Sequence, residues 1–391
     1  MKIVQIEDFF HPDAGYQINV LTKYLAQKHE VYILCATMNK IPKYLTSFFG
    51  NETIAEKDAL YEKKYGVKII RIPLIGYWGN RFVFSNKIFT IIKELNPDVL
   101  YVHGNDSYIG IRILSHPNRF KCKIVSDSHM LDMASKSKMH NLFCKWYKKY
   151  VTPQIIKQNI TVIRTQNDDY VMRRLGLKEN MCPYIPLGSD MLLFHPDKNE
   201  RQVFRKCNQI NDDDFVILYA GKLDETKGGM LLARAVKEKF NSPQSVVVMI
   251  VGNSSGEYGE KIEEVLQQSD NRIIRFNTQT YENLAQFYKA SDLVVFPRQC
   301  SLSFYDAQAC GVPVLSENNN INQDRNSHEN GWCFQANNID SLRNSIIKIL
   351  MLPQSEINRY GDNAYKFVKE NFNYIQSANQ YIEIIEKECT K

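Results

Sequence analysis

The stretch YAGKLDETKGGMLLARA, residues 219–235, joins the end of an apolar run to the start of an amphipathic one. Phe215–Ala220 is short, apolar and β-branched, which suits a strand buried on both faces. A polar loop from Gly221 to Gly228 follows, and Met230–Lys239 then places apolar residues at helical spacing. Strand, polar loop and helix in succession form the repeating unit of a parallel sheet, because parallel neighbours need a crossover connection. Working downstream, strands are expected at Val246–Val251, Arg272–Phe276, Leu293–Phe296 and Val312–Leu315. Helices are expected near Lys261–Gln267, Tyr281–Lys289, Ser301–Cys310 and Ser341–Leu350.

Upstream the same rhythm recurs. Strands are expected at Lys2–Ile6, Val31–Ala36, Lys68–Ile72, Val99–His103, Lys123–Ser126 and Thr161–Arg164. Between them, Ile18, Leu21 and Leu25, then Ile88, Ile91, Ile92 and Leu95, keep a helical period. Asn39–Lys64 breaks the rhythm and reads as a surface excursion. The Pro-rich stretch Pro183–Pro196 separates the two series. The fold class is therefore α/β with two Rossmann-like domains, residues 1–195 and 196–373. Residues 374–391 carry Ile375, Ala378, Tyr381 and Ile385 on one helical face, which needs a partner surface.

Composition agrees with this reading. A chain of 391 residues exceeds one ordinary core, and 44% hydrophobic with 24% charged residues is the balance of a globular protein. Its apolar runs are strand-sized, well short of the ~20 residues of a membrane span. Glu7 and Asp8 directly follow the first apolar run, which argues against a signal peptide. Nine cysteines without paired short spacing point to reduced thiols and a cytoplasmic setting, not a disulfide framework or a zinc site. Net charge is +6, and between Ala134 and Gln166 seven Lys/Arg stand with no Asp/Glu.

Two segments carry candidate chemistry. In residues 219–235, Lys222 and Lys227 lie on a loop that feeds a helix N-terminus. Two ammonium groups and free backbone amides there suit a diphosphate, although a solvated loop with surface lysines reads the same way. In FPRQCSLSFYDAQACGVPV, residues 296–314, Ser301 is the expected N-cap of a helix Leu302–Cys310 that stops at Gly311. The Ser301 and Leu302 amides would offer a second phosphate contact. Asp306 is an acid on a largely apolar helix, suited to ribose hydroxyls or else simply exposed. His103 and His129 end strands, where ligands gather in such sheets and where structural histidines also occur. Asp212–Asp214 precedes a strand and reads as a turn, so no acidic triplet with metal-ligand spacing ends a strand.

These segments resemble the retaining, two-domain GT-B glycosyltransferases known as family 4, over nearly the whole chain. Residues 219–235 are similar to that family's Gly-Arg-x4-Lys-Gly segment, with Lys222 at the Arg position and Lys227 at the Lys position. IPLGSDMLLFHP, 185–196, resembles its interdomain sequence, and Val247–Gly252 its strand ending in a Gly beside the nucleotide. HPDAGYQ, 11–17, resembles its phosphate-side loop, with Gly15 where many members have two glycines. IVSDSH, 124–129, resembles the strand ending in a His, here His129, that contacts the donor sugar. Residues 296–314 match the region of the Glu-x7-Glu motif, but Arg298 stands at the first acid and Asp306 at the second.

The resemblance implies two domains facing across a cleft, with the last helix crossing back to the N-terminal domain. It implies Gly15, Gly221, Gly252, Arg298, Ser301, Leu302 and Asp306 around a nucleotide-sugar donor, and Lys222, Lys227 and His129 in catalysis. The reaction would be front-face retaining transfer of a hexosyl or N-acetylhexosaminyl group, as in polysaccharide biosynthesis, with no metal or cofactor. An epimerase on the same fold, or a non-catalytic partner subunit, would share these features. The expected acceptor is a glycan or a lipid-linked cell-envelope acceptor. The basic, aromatic-rich helix near 136–157 is expected either to pack with a solvated basic face or to touch the inner face of the membrane. Nucleic acid is not an expected partner, since the basic patch is local and lacks a stacking platform.

Overall fold

The structure is a computed structural model that describes residues 1–41, 53–78, 81–130 and 138–390. The chain divides into two compact units, Met1–Leu187 with the residues from Ile375 on, and Gly188–Tyr374.

The first unit holds strands β1 (Lys2–Ile6), β2 (Glu30–Ala36), β3 (Lys68–Ile72), β4 (Leu74–Trp78), β5 (Arg81–Phe84), β6 (Val99–Val102), β7 (Lys123–Ser128) and β8 (Thr161–Arg164). Six of them form one parallel sheet, β3-β2-β1-β6-β7-β8, while β4 and β5 pair as an antiparallel hairpin. The second unit holds β9 (Phe215–Ala220), β10 (Val246–Val251), β11 (Arg272–Phe276), β12 (Leu293–Phe296), β13 (Val314–Glu317) and β14 (Gly331–Phe334). Its sheet runs β11-β10-β9-β12-β13-β14, also parallel throughout. Each sheet reverses its winding once, between β1 and β6 and between β9 and β12. Doubly wound sheets open a crevice at that reversal, beyond the strand C-termini.

Burial explains the strand sequences. β9 and β10 are flanked by core on both faces, Val216, Leu218, Val247 and Met249 to one side and Ile217, Val248 and Ile250 to the other. Strands wetted on neither side carry apolar residues without alternation, and VVVMIV does so. β14 and the β4–β5 hairpin are not among the strands expected from the sequence. Within Asn39–Lys64, residues 42–52 lie outside the described ones. Beyond them the excursion is a helix, Ile54–Tyr65, whose Tyr61 is buried with its ring 5.3 Å from Phe10.

The first unit ends at Leu187, short of the boundary expected near 195. Gly188 and Ser189 are already bound into the second unit: the Ser189 amide donates to the Phe372 carbonyl at 2.9 Å, and the Tyr374 amide donates to the Ser189 carbonyl at 3.0 Å. A Cβ on Gly188 would lie 2.0 Å from the Phe372 oxygen, so only glycine allows this approach. The last helix, Tyr374–Thr390, packs in the first unit. Ala378, Tyr381, Ile382 and Ile385 are buried, the Tyr381 ring lies 6.3 Å from Tyr101, and Thr161 Oγ donates to Glu388 at 3.2 Å.

Candidate active site

In the second unit the loops after β9, β10 and β12 converge. β9 hands over to Gly221, whose amide donates to the Val251 carbonyl at 2.9 Å. Gly252 ends β10 at φ +136°, and a Cβ there would lie 1.9 Å from the Gly221 carbonyl oxygen. Gly252 thus lets two strand ends close on one another.

The lysine loop is built on Asp224. Its Oδ1 accepts from Thr226 Oγ at 2.7 Å and from the Lys227 amide at 2.9 Å. Gly228 then adopts the left-handed region at φ 77° and starts the helix Gly229–Ala235. Tyr219 donates its hydroxyl to the Lys222 carbonyl at 2.6 Å. Lys222 and Lys227 are half-buried and lie close enough to oppose one another's charge. Burial lowers both ammonium pKa values, and Asp224 only partly restores them. A partly desolvated cation gains by meeting an anion, and two of them on one loop favour a polyanion.

Arg298 also has partners within the protein. Its guanidinium donates to the Glu225 carbonyl at 2.9 Å and to Asn337 Oδ1 at 2.5 Å, while its Cγ would lie 3.1 Å from a Cβ on Gly228. It ties the lysine loop to the loops after β12 and β14. Gln299 beside it holds φ 64°, unusual for a residue with a side chain.

The helix expected from Leu302 begins at Ser303, and Ser301 is not its N-cap. Leu302 occupies that position without a side-chain bond and is exposed, while the Ser301 carbonyl accepts from Arg325 at 2.9 Å. Cys300 lies close enough to Lys227 to affect its charge. Asp306 is not an exposed acid. It is 6% exposed, and its Oδ1 accepts from Ser189 Oγ at 2.7 Å and from Tyr281 at 3.3 Å. Burial outweighs these two hydrogen bonds and pushes its pKa up to about 7. Asp306 anchors the chain where it enters the second unit. A ribose contact from it would rest on Oδ2.

In the first unit His129 follows β7, His103 follows β6 and Glu7 follows β1, at the sheet's reversal. Gly15 is exposed on the loop before the helix Gln17–Leu25. Asp127, fully buried, organises the polar side chains. It faces His103 Nδ1 at 3.0 Å and His129 Nε2 at 3.3 Å, and accepts from Tyr101 at 2.7 Å and the Gly104 amide at 2.7 Å. His103 reaches Gln5 through its other nitrogen, at 3.0 Å, and His129 Nδ1 lies 3.0 Å from Thr165. Burial alone would raise the Asp127 pKa, but the two imidazoles overcome it and hold the carboxyl well below its usual range. For His129 burial is likewise outweighed, and Asp127 raises its pKa. Glu7 and Asp106 nearby are pushed up by burial. Ligand atoms of His103, Asp127 and His129 lie within 4.8 Å of one another, a group that could hold a metal ion. Sequence reading named both histidines and missed Asp127, although Asp127 and His129 share one face of the strand through their two-residue spacing.

Comparison with known proteins settles what kind of domain this is. Residues 200–367 match the family described as "Glycosyl transferases group 1". The second unit is a group 1 glycosyltransferase domain.

Over a longer span the chain is 23% identical to the UDP-Gal:alpha-D-GlcNAc-diphosphoundecaprenol alpha-1,3-galactosyltransferase of Escherichia coli, across 76% of this chain and 78% of that enzyme. Among solved structures, a glycosyltransferase from Rickettsia africae matches with TM-score 0.73 at 16% identity, over 99% of this chain and 98% of that one. HepE from Anabaena, solved with UDP and glucose, matches with TM-score 0.72 at 14% identity, over 99% and 100%. These likenesses establish the GT-B fold for both units. Among the described residues no helix is long and apolar enough to cross a membrane.

Proposed function

We propose that this chain is a retaining, metal-independent glycosyltransferase that moves a hexosyl group from a nucleoside-diphosphate sugar to a glycan or lipid-linked acceptor. The observation that carries the reading is the pair Lys222 and Lys227, partly desolvated on a loop that Asp224 and Arg298 hold in shape. Breaking the bond between the sugar C1 and the phosphate oxygen leaves the electron pair on the departing diphosphate. Preplaced ammonium groups stabilise that charge without reorganising, and in many enzymes such stabilisation contributes most of the rate acceleration. The Ser301 and Leu302 amides add backbone donors on the neighbouring loop. Gly221 and Gly252 leave room for the nucleotide where strand ends close together.

The acceptor hydroxyl would attack C1 on the face the diphosphate leaves, and its proton would pass to the departing phosphate. His129, held by Asp127, is the group we assign to the donor sugar. Gly15 we assign to the phosphate side of the same donor. The E. coli relative, named for a UDP-sugar donor and a diphosphoundecaprenol acceptor, and HepE, solved with UDP, support a UDP-sugar as first choice of donor. Action on a lipid-linked acceptor implies work at the cytoplasmic face of a membrane.

The test is a panel of nucleotide sugars with the purified chain, with and without EDTA, following nucleotide release and the anomeric configuration of the product by NMR. Acceptor-dependent nucleotide release that survives EDTA, with configuration retained, is the expected result. Conversion of the donor without acceptor would mean an epimerase. Turnover lost to EDTA and restored by Mg²⁺, Mn²⁺ or Zn²⁺ would refute metal independence and direct attention to His103, Asp127 and His129.

A further inference from the structure

The helix His140–Tyr150 carries two apolar faces and needs only one of them for its own unit. Cys144 and Tyr147 are buried in the core, and Val151 and Ile155 continue that contact. The second face consists of Leu142, Trp146 and Tyr150, spaced four residues apart so that they stack along one stripe. They are 59%, 41% and 50% exposed, and Met139 extends the stripe at 62%. The rings form a ladder: Trp146 lies 6.4 Å from Phe143 and 5.9 Å from Tyr150. Each of these side chains keeps a large apolar area in water, which burial against a partner would stabilise.

Cations surround the stripe. Lys138, Lys145, Lys148 and Lys149 are all exposed, and Lys149 Nζ lies 5.2 Å from the centre of the Tyr150 ring. Lys149 and Lys145 lie along one edge of the stripe, while on the other side of the helix Lys148 Nζ donates to the Arg173 carbonyl at 2.9 Å and Arg174 donates to Asn141 at 3.0 Å. The helix contains no acid. On the adjacent segment Asp169 is paired with Arg173 at 3.1 Å. The part of the basic segment at 134–137 lies outside the described residues.

We propose that this face docks on an anionic lipid bilayer. Tryptophan and tyrosine favour the boundary between headgroups and acyl chains, where the ring is buried and its polar edge stays wet. Long lysines beside them extend their ammonium groups to phosphates while their stems stay apolar. A helix of eleven residues is about 16 Å long, too short to cross a bilayer and suited to lying in its surface. The cations select the occupant, because a neutral protein partner would leave them without counter-charge. This inference stands on the helix face alone, whatever the donor or acceptor.

The experiment is co-sedimentation of the full chain with vesicles of phosphatidylcholine alone or mixed with phosphatidylglycerol. Binding is expected on the mixed vesicles only, and it should weaken as salt is raised. Each lysine neutralised should cost about fivefold, so Lys145→Gln with Lys149→Gln should bind about 25-fold more weakly. Leu142→Ser with Trp146→Ser should lose at least about tenfold. Thermal melting of each variant checks that it folds, and the lysine pair, on exposed side chains, carries the test if the serine pair does not. Equal binding to neutral vesicles, no binding to mixed ones, or folded variants that bind like wild type would each overturn the proposal. So would a concentration-dependent dimer that Leu142→Ser dissolves, since the face would then be covered by a second copy.

Discussion

Lys227 is the residue we propose meets the departing diphosphate. Its backbone amide is fixed by Asp224, its ammonium group is half-buried, and its charge is felt by Lys222 and Cys300. A cation set this way acts most where negative charge is greatest, in the transition state. Lys227→Ala should lower kcat/KM by roughly 10²–10³-fold, the scale of one preorganised electrostatic contact. Combined with Lys222→Ala it should lose less than the product of the two effects, because both serve one diphosphate. Steady-state kinetics with the best donor checks both. If Lys227→Ala turned over at the wild-type rate and donor KM, the diphosphate assignment would fall. Asp306 makes a separate prediction, about stability. Its folded pKa of about 7 exceeds the ordinary value of 3.8, so the native state holds this proton more tightly than the unfolded chain does. That contribution is complete below pH 3.8 and is lost as pH rises to about 7, at roughly 1.4 kcal/mol per pH unit. Asp306→Asn keeps an acceptor for Ser189 and Tyr281 and cannot ionise. Urea denaturation from about pH 5 to 7 should therefore show a flatter profile for the variant, and parallel profiles would contradict a neutral carboxyl.

At the scale of elements, two strand ends decide the shape of the crevice we propose for the donor. β10 can close on β9 only because Gly252 takes φ +136° and has no Cβ to meet the Gly221 oxygen. Gly252→Ala combines a strained backbone with a contact no packed structure tolerates, and should cost about 2–4 kcal/mol in denaturant unfolding. Because the clash falls on Gly221, the displaced segment leads directly into Lys222, and activity should fall further than stability explains. A variant as stable and active as wild type would show that the strand ends need not meet. The Arg298 strut belongs to this scale too. In sequence it stands where the related family places an acid, and its guanidinium donates to the Glu225 carbonyl and Asn337, which ties three loops into one rim.

At the scale of the molecule, the chain builds the same strand order twice and then returns its last helix to the first unit. Burial of Tyr381, Ile382 and Ile385 makes that helix part of the first core. Ending the chain after Tyr374 should lower the melting transition of the first unit and leave that of the second in place. Differential scanning calorimetry checks it, with ligand protection by a nucleotide sugar marking the second transition. An unchanged profile would mean that the helix adds nothing to the core it lies in.

Strand–helix alternation, the parallel sheets and the lysine loop were legible in the sequence. They rest on local signals: apolar runs without alternation for strands wet on neither face, and Gly-flanked polar loops between them. The lysine assignment needed only a loop between strand and helix. What partners Asp306, Arg298 and His129 could not be read that way, because each is fixed by residues distant in the chain. Asp306 meets Ser189, Arg298 meets Glu225 and Asn337, and His129 shares Asp127 with His103. Whether an acid is exposed and charged or buried and neutral depends on which surface covers it. Sequence by itself determined the two parallel sheets and the loops that could serve a donor. Only the tertiary structure decided how far the charges on those loops are desolvated and what they face, since that balance is set by packing between segments far apart in sequence.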